Sequence, residues 1–305
     1  MSDFTSAKTS HRHGVISVLV ALPFVSLTGL FGKFLTFSPL LIVQGRTVFA
    51  FGALLLALFF LRKKIFFSDL REWLWLALSG SILGVHWIAF FQAIQVSTVA
   101  IGLLSFASYP LFTTLLEPLF FREPLRVRNV FAALIVICGL ALMATSSSDD
   151  SNTIISGSVF HGILWGLMAG FGFAVLTLLN RGHVRKHSAL LITCWQNGFA
   201  ALVILPWSLS ESWILSGKEL GLLFLLGVVC TVGGHTLLIN GLRHVRAQVA
   251  SLLIAGLEPV FAILFALFLL GEVPSLQTLL GGVLIISTTV FIIYGTEQKE
   301  IPEQA

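Results

Sequence analysis

Charged side chains are scarce in this chain. Asp, Glu, Lys and Arg make up 10% of its 305 residues, whereas hydrophobic residues make up 56% and the mean hydropathy is +0.97. Because a soluble domain carries about a quarter charged residues, this composition cannot cover a surface that faces water. Apolar runs of about 20 residues, long enough to span a bilayer as a helix, recur along the chain. The composition predicts an all-α polytopic membrane protein without a soluble domain.

Cysteine and histidine are too few and too scattered to indicate a disulfide or a metal site. Cys138, Cys194 and Cys230 lie in separate apolar runs without paired spacing, which is typical of buried thiols. The polar first fourteen residues lack the pattern of a cleavable signal, so we expect the first apolar run to remain as a span. We also expect no cofactor, no metal and no nucleic acid partner.

Ten apolar runs, separated by charges, Pro and Gly, predict ten transmembrane helices. The predicted ranges are 15–36, 39–61, 72–93, 98–121, 127–144, 159–180, 188–209, 219–241, 247–270 and 275–294. Two five-helix units follow, at 15–144 and 159–294. A polar tail precedes them at 1–14, a polar linker joins them at 145–158, and a second tail follows at 295–305.

The positions of Lys and Arg predict how these helices are oriented. Fifteen of the eighteen lie in the two tails and in alternate loops, Lys33 and Lys218 lie in the other loops, and Arg46 lies within a span. Basic residues collect on the cytoplasmic side of bacterial inner-membrane proteins. We therefore predict a multi-pass protein of the inner-membrane lipid bilayer, with both termini cytoplasmic and the linker 145–158 periplasmic.

The chain aligns with itself at a shift of 149 residues, which superimposes three pairs of residues that apolar composition does not produce by chance. The pairs are His86 with His235, Pro110 with Pro259, and Glu123 with Glu272. A shift of 150 places Arg46 opposite Gln196. Because each copy holds five helices, an odd number, the second copy must cross the membrane in the opposite sense. Inverted repeats of this kind are found in many secondary transporters, with the substrate site near the midplane.

Three segments give the chain a resemblance to a known family. They are "SPLLIVQGR" at 38–46, "HGILWG" at 161–166 and "EPVFAILFALFLLGEVPSLQTLLGG" at 258–282. Together with the paired five-helix copies, they resemble the EamA-type branch of the drug/metabolite transporter superfamily over nearly the whole chain. The resemblance implies transport of a small organic solute. It does not specify the solute, because members move amino acids, nucleotide-like metabolites and other small organics.

The first copy departs from the family pattern at two points. Tyr109 stands where the pattern has Glu before Pro110, and Arg122 stands where it has Gly before Glu123. At the shift of 149, Tyr109 is therefore the counterpart of Glu258 in the second copy. The two copies are similar in sequence, but they are not chemically equivalent at these positions.

Polar and aromatic residues inside the predicted helices are the candidate site. The candidates for substrate binding or gating are His86, Trp87, Phe90, Tyr109, Trp165, Gln196, His235, Asn240 and Glu258. Glu258 and Arg46 are charges within spans, where an ionised residue costs several kcal/mol unless it is paired or faces water, and is usually functional. Pro110 and Pro259 lie near the middle of the fourth and ninth predicted helices and are candidate hinges, because proline bends a helix.

Each candidate also has a purely structural interpretation, and the sequence leaves both open. For the prolines, this interpretation is a static kink. For the histidines it is a clamp between helices, and for Glu258 it is a hydrogen bond to another helix. Arg46 fits a partner of Glu258, an anchor for a substrate carboxylate, or a cap for helix carbonyls. Trp165 fits an aromatic belt residue, whereas the family resemblance implies a cavity-lining or gating role.

We predict a secondary transporter that works by alternating access between the two copies and exports an amino acid or related compound. An uptake permease for a nucleotide-like or vitamin-like metabolite is the alternative, and a non-transport intramembrane enzyme is a weaker one. Such an enzyme needs clustered carboxylates or a nucleophile beside a base, and the sequence shows neither. We therefore expect no enzymatic activity. Proton coupling through Glu258 or a histidine, and association into a homodimer, are left open.

Overall fold

The computed structural model describes residues 2–121, 127–145, 157–184, 186–213, 216–244 and 247–297. Within these ranges all regular secondary structure is helical, and a π-helical segment at Leu226–His235 lies between two of the α-helices. The α-helices are α1 Ser2–Phe34, α2 Pro39–Phe60, α3 Leu70–Val96, α4 Val99–Phe106, α5 Tyr109–Phe121, α6 Val127–Ala144, α7 Gly157–His183, α8 Ala189–Ser208, α9 Gly217–Leu225, α10 Thr236–His244, α11 Ala247–Leu270 and α12 Leu276–Glu297.

The helices follow the predicted ranges within a few residues, except that α1 begins at Ser2, within the predicted polar tail 1–14. Eight predicted helices correspond to one helix each, the fourth corresponds to α4 and α5, and the eighth corresponds to α9, the π-helical segment and α10. In the part of the chain that the structure describes, seven helical stretches are long and apolar enough to cross a membrane. The predicted total of ten spans and the cytoplasmic termini stay predictions.

Serine and threonine side chains cap the N-termini of several helices and so mark where one helix ends and the next begins. Ser38, Thr98, Ser188 and Ser216 each accept a hydrogen bond from a backbone N–H in the first turn of α2, α4, α8 and α9. Such a cap satisfies one of the N–H groups that a helix start leaves unpaired. This matters here because unpaired backbone groups are costly in lipid.

Equivalent helices of the two copies pack antiparallel. Leu58, late in α2, belongs to the same buried cluster as Leu191, early in α8. Gln44, early in α2, lines the same surface pocket as Ser208, the last residue of α8. Because α2 and α8 are the second helices of their copies, this antiparallel contact is the relation that the predicted inverted repeat requires.

The first helix of each copy lies in the other copy. α1 packs against the π-helical segment, α10 and α11, and α7 packs against α3, α4 and α5. Each first helix therefore contacts the third and fourth helices of the opposite copy. As a result, helices from both copies enclose the centre of the molecule.

Glycines on one face of α7 allow it to approach α4 closely. A Cβ built at Gly166 would lie 2.5 Å from Ser105 Cβ and 3.2 Å from the carbonyl oxygen of Gly102. Gly162 and Gly170 lie on the same face, one turn away on either side, and a Cβ at either would also crowd its neighbours. Small residues at this spacing are typical of close helix packing in membranes.

The two prolines that the repeat pairs lie in different surroundings. Pro259 lies within the continuous helix α11. In contrast, α4 ends at Phe106 and α5 begins at Tyr109, so Pro110 is the second residue of a new helix. The fourth predicted helix is therefore interrupted at residues 107–108, just before Pro110, and a hinge role for Pro110 stays a prediction. Proline lacks an N–H and fits the first turn of a helix without losing a hydrogen bond.

A lysine and a glutamate join three helix ends at one end of α3. Lys33 Nζ, at the end of α1, donates to the carbonyl oxygen of Ser97 at 2.6 Å and lies 4.0 Å from Glu272 Oε1. Glu272 Oε2 accepts a hydrogen bond from the backbone N–H of Val99 at 2.9 Å. This contact links α1, α4 and the loop before α12. Glu123, the counterpart of Glu272, lies outside the described residues.

Candidate functional site

A small cavity lies at the centre of the bundle, between helices of both copies. Six of the residues singled out from the sequence line it: Arg46, His86, Trp87, Phe90, His235 and Glu258. They come from α2, α3, the π-helical segment and α11. The tertiary structure therefore brings together residues that are more than 200 positions apart in the chain.

The cavity is too small for a metabolite in this conformation. About 20 Å³ is open to the centre of a water molecule. One water needs about 10–15 Å³ on this measure, so the space suits one or two waters. Binding of an organic solute requires the walls to move apart.

Arg46 is held in the wall of the cavity by one hydroxyl group and one aromatic ring. Its Nε and Nη2 donate to Thr231 Oγ1 at 3.2 and 2.8 Å. Thr231 donates its own hydrogen to the carbonyl oxygen of Leu226 at 2.9 Å. The guanidinium carbon lies 3.5 Å from the centre of the Trp87 ring, an attractive cation–π geometry. Arg46 is only 1% exposed, so these contacts stand in for water.

His86 joins α3 to α7 and also lines the cavity. Its Nδ1 lies 2.8 Å from the carbonyl oxygen of Ala169, and because a carbonyl only accepts, Nδ1 is the donor. Trp87, Phe106 and Phe173 surround the ring with centroid distances of 4.8, 5.6 and 5.3 Å. The clamp interpretation and the cavity interpretation of this histidine are compatible.

His235 and Glu258 contribute the cavity wall of the second copy. His235 is the last residue of the π-helical segment, and its ring lies 6.4 Å from that of Trp87. Glu258 is 2% exposed, and within the described residues its carboxylate has no hydrogen bond or ion pair. Arg46 and Glu258 line the same cavity without forming a salt bridge. Thr231, rather than Glu258, is the partner of the Arg46 side chain.

The remaining candidates lie outside the cavity wall. Tyr109 is one layer behind it, stacked on Phe106 at 5.2 Å and edge-on to Phe173 at 4.9 Å. Trp165 is partly buried in α7 and packs against the hydrophobic core, and Asn240 is partly buried in α10. Neither lines the cavity.

Gln196, the counterpart of Arg46, belongs to a separate polar network. Its Nε2 donates to Ser79 Oγ at 3.1 Å and to Asn180 Oδ1 at 2.5 Å. This network joins α8 to α3 and α7. Arg46 and Gln196 thus make equivalent contacts, each to the third helix of the opposite copy, but only Arg46 reaches the cavity.

Several residues of this site are not among those predicted from the sequence. Phe106, Phe173 and Cys230 line the cavity, and Thr231 holds Arg46. The two phenylalanines carry no recognisable signal among 27 in the chain. Thr231 could have been found, because it precedes His235 by four residues and so lies on nearly the same helical face.

Comparisons with known proteins place the chain among transporters. The model of the EamA-like transporter family matches residues 12–145 and 160–294. An uncharacterised transporter of Bacillus subtilis, YwfM, is 27% identical in an alignment that covers 82% of this chain and 84% of that protein. An S-adenosylmethionine uptake transporter of Rickettsia conorii is 31% identical, but the alignment covers only 63% of this chain and 62% of the relative.

A solved crystal structure has a similar fold. It matches with a TM-score of 0.65 and 16% identity, covering 97% of this chain and 99% of the solved one. At this identity the likeness concerns the fold alone. The fold therefore extends over nearly the full length of both chains.

Proposed function

Because this chain belongs to the EamA-like transporter family, we propose that it is a secondary transporter that moves a small organic metabolite through its central cavity. The family match confirms the resemblance predicted from the sequence. The proposed mechanism is alternating access, in which the two five-helix copies rock against each other about the cavity.

One observation carries this proposal. Six of the polar and aromatic residues that the sequence singled out line one cavity, and both copies contribute to it. Four of them, Arg46, His86, His235 and Glu258, are ionisable, and such residues are costly inside a membrane and usually mark a substrate or ion pathway. A membrane scaffold or receptor has no need to gather them from both copies at one place.

The small volume of the cavity supports a cycle with several conformations. With about 20 Å³ open to the centre of a water molecule, this conformation is closed around the site. A solute enters only when helices of the two copies separate, and it leaves on the other side when a different pair of surfaces opens. An interface between two packed units can have discrete open and closed arrangements of this kind.

We propose an amino acid or a related compound as the solute, and efflux as its direction. The cavity combines aromatic rings, two histidines and one charge of each sign, which suits an amphiphilic solute of modest net charge. Relatives named as S-adenosylmethionine uptake transporters favour uptake as the alternative direction. The substrate in their name contains both an amino acid and a nucleoside, so it shares chemistry with the amino acids of our proposal and with the nucleotide-like metabolites of the alternative.

We further propose that the protein resides in the inner membrane as ten spans with both termini in the cytoplasm, and that it has no enzymatic activity. The basic residues on alternate loops support this orientation. Proton coupling through Glu258 or a histidine remains a hypothesis. Transport into proteoliposomes that is unaffected by an imposed pH gradient would eliminate it.

The experiment that tests the function is untargeted metabolomics on cells that overproduce the protein. We expect one or a few related metabolites to change their ratio between medium and cytoplasm by several-fold, and the effect to disappear in Glu258→Gln. Phe268→Leu is the matched control, because Phe268 lies on the same helix but is 79% exposed on the outer surface. An unchanged metabolite profile at equal membrane levels of protein would contradict the proposal.

A further inference from the structure

Among the residues that the structure describes, three nitrogen atoms in the cavity wall have no hydrogen-bond partner. They are Arg46 Nη1, Trp87 Nε1 and His235 Nδ1. Their residues are 1, 6 and 6% exposed, and all three line the same cavity. Because buried polar groups are nearly always paired, three unpaired nitrogens in one wall indicate that an acceptor belongs there.

The charge of this wall points to a single anionic group as that acceptor. Thr231 accepts from Nε and from one N–H of Nη2, which leaves both N–H groups of Nη1 and the second N–H of Nη2 for a ligand. The Trp87 N–H only donates, and His235 Nδ1 donates when it carries the proton. Among the described lining residues, Arg46 is the one Lys or Arg. A carboxylate, with one charge and several lone pairs, fits this set, whereas a phosphate calls for more cations.

Glu258 provides the opposite charge from a different helix. The donors lie on α2, α3 and the π-helical segment, and Glu258 lies on α11. Its carboxylate has no hydrogen bond or ion pair within the described residues and does not pair with Arg46, although both line the cavity. The cavity therefore has two poles, a guanidinium group and a carboxyl group, that do not pair with each other. A solute with a carboxylate and an amine can satisfy both poles at once.

We propose that the cavity recognises an amino-acid group, with its carboxylate bound by Arg46, Trp87 and His235 and its ammonium group bound by Glu258. This inference rests on the proposed function and specifies the orientation of the solute in the same site. The carboxylate subsite joins the two copies, because Arg46 and Trp87 belong to the first and His235 belongs to the second. Binding of the carboxylate thus favours a closed arrangement of the copies.

Cys230 offers a probe of this site, because it lines the cavity and is only 3% exposed. In purified protein carrying Cys138→Ser and Cys194→Ser, N-ethylmaleimide reacts with Cys230 only when the cavity opens. Three pools of compounds are compared as protectants at equal concentration. They are leucine, methionine and phenylalanine; the amines that their decarboxylation yields; and the acids that lack their amino groups. We expect the amino acids to slow alkylation at least tenfold more than either of the other pools.

Two single variants then test the carboxylate subsite and the ammonium subsite separately. Trp87→Phe keeps the ring and removes only the indole N–H, and we expect it to weaken protection by the amino acids and the acids about three- to tenfold. Glu258→Gln is expected to weaken protection by the amino acids and the amines and to leave that by the acids unchanged. Thermal unfolding in detergent confirms that each variant is folded, and protection is expressed relative to the same variant without ligand.

The protection experiment gives different results if the amino-acid subsite exists and if it does not. Selective protection by the amino-acid pool, with opposite losses in the two variants, supports the proposal. Equal protection by all pools, protection by none, or parallel losses in both variants overturns it. Failure here is distinct from failure of the proposed function, because the metabolomics experiment detects transport of any solute. Flux that depends on Glu258, without a preference for amino acids, would keep the transporter and reject this subsite.

Discussion

Replacing Gly166 with alanine tests whether α7 touches α4 along its glycine face. The added Cβ would lie 2.5 Å from Ser105 Cβ, 3.2 Å from the Gly102 carbonyl oxygen and 3.4 Å from the Phe106 backbone nitrogen. Two of these atoms belong to the backbone and the Ser105 Cβ is bonded directly to it, so no side-chain rotation relieves the contact. Because non-bonded carbon atoms prefer about 3.5–4.0 Å, α7 must move away from α4 by roughly an ångström.

The size of the effect follows from two opposing contributions. Alanine is favoured over glycine within a helix by about 0.5–1 kcal/mol. An additional carbon in a packed interior costs about 1–3 kcal/mol. Gly52→Ala isolates the first contribution, because Gly52 lies inside α2 and a Cβ there meets nothing within 4 Å. We therefore expect the free energies of unfolding of the two variants to differ by about 1–3 kcal/mol.

Thermal unfolding of both variants in the same detergent and at one heating rate measures this difference. We expect Gly52→Ala to melt at or slightly above the unmodified protein. Gly166→Ala should melt about 2–12 °C below Gly52→Ala, by the scaling for domains of 150–250 residues. Equal melting temperatures would show that α7 and α4 are not in close contact at Gly166, and would refute the reasoning.

Three further predictions address the ends of the bundle, the buried polar network and the orientation. Lys33→Met removes the contacts that link α1, α4 and the loop before α12. If these contacts hold the helices around the cavity together, Cys230 should be alkylated severalfold faster; an unchanged rate would show that they do not keep the cavity closed. Gln196→Leu leaves buried polar partners unpaired and should lower stability by about 1–3 kcal/mol, measured by thermal unfolding, without changing which solute is transported. The last prediction concerns orientation and uses a cysteine-free background. Asp150→Cys, outside the described residues, should react with an impermeant maleimide in intact cells, whereas Lys64→Cys should react only after permeabilisation. The reverse pattern would invert the predicted topology.

Much of the fold follows from local sequence patterns because lipid imposes a simple requirement. A helix that satisfies all its own backbone hydrogen bonds must be about as long as the bilayer is thick, so apolar runs identify helices directly. The interruptions were harder to predict. Pro110 marks the break between Phe106 and Tyr109, but its counterpart Pro259 lies in a continuous helix, so a proline alone does not predict a break. The π-helical segment at Leu226–His235 has no strong local signal. Helix packing against the opposite copy decides whether such a segment stays regular.

Candidate site residues were recognisable wherever a polar side chain is costly in its surroundings. Arg46, His86 and Glu258 stood out for this reason, and all three line the cavity. Gln196 also stood out, but it belongs to a network between helices. Burial makes a polar residue conspicuous without showing whether its partner is another side chain or a ligand. Phe173 is the opposite case: it lines the cavity, but phenylalanine is common throughout this sequence, so nothing in the sequence marks it as a site residue.

The sequence by itself determined the class of protein, the helices and the duplication, because apolar length, charge placement and internal similarity are properties of neighbouring or equivalent positions. Only the tertiary structure decided that Arg46 binds Thr231 rather than Glu258, and that Arg46 and Glu258 line one cavity. These contacts join helices of opposite copies that are distant in the chain. They depend on how whole helices cross and rotate, which no local pattern specifies.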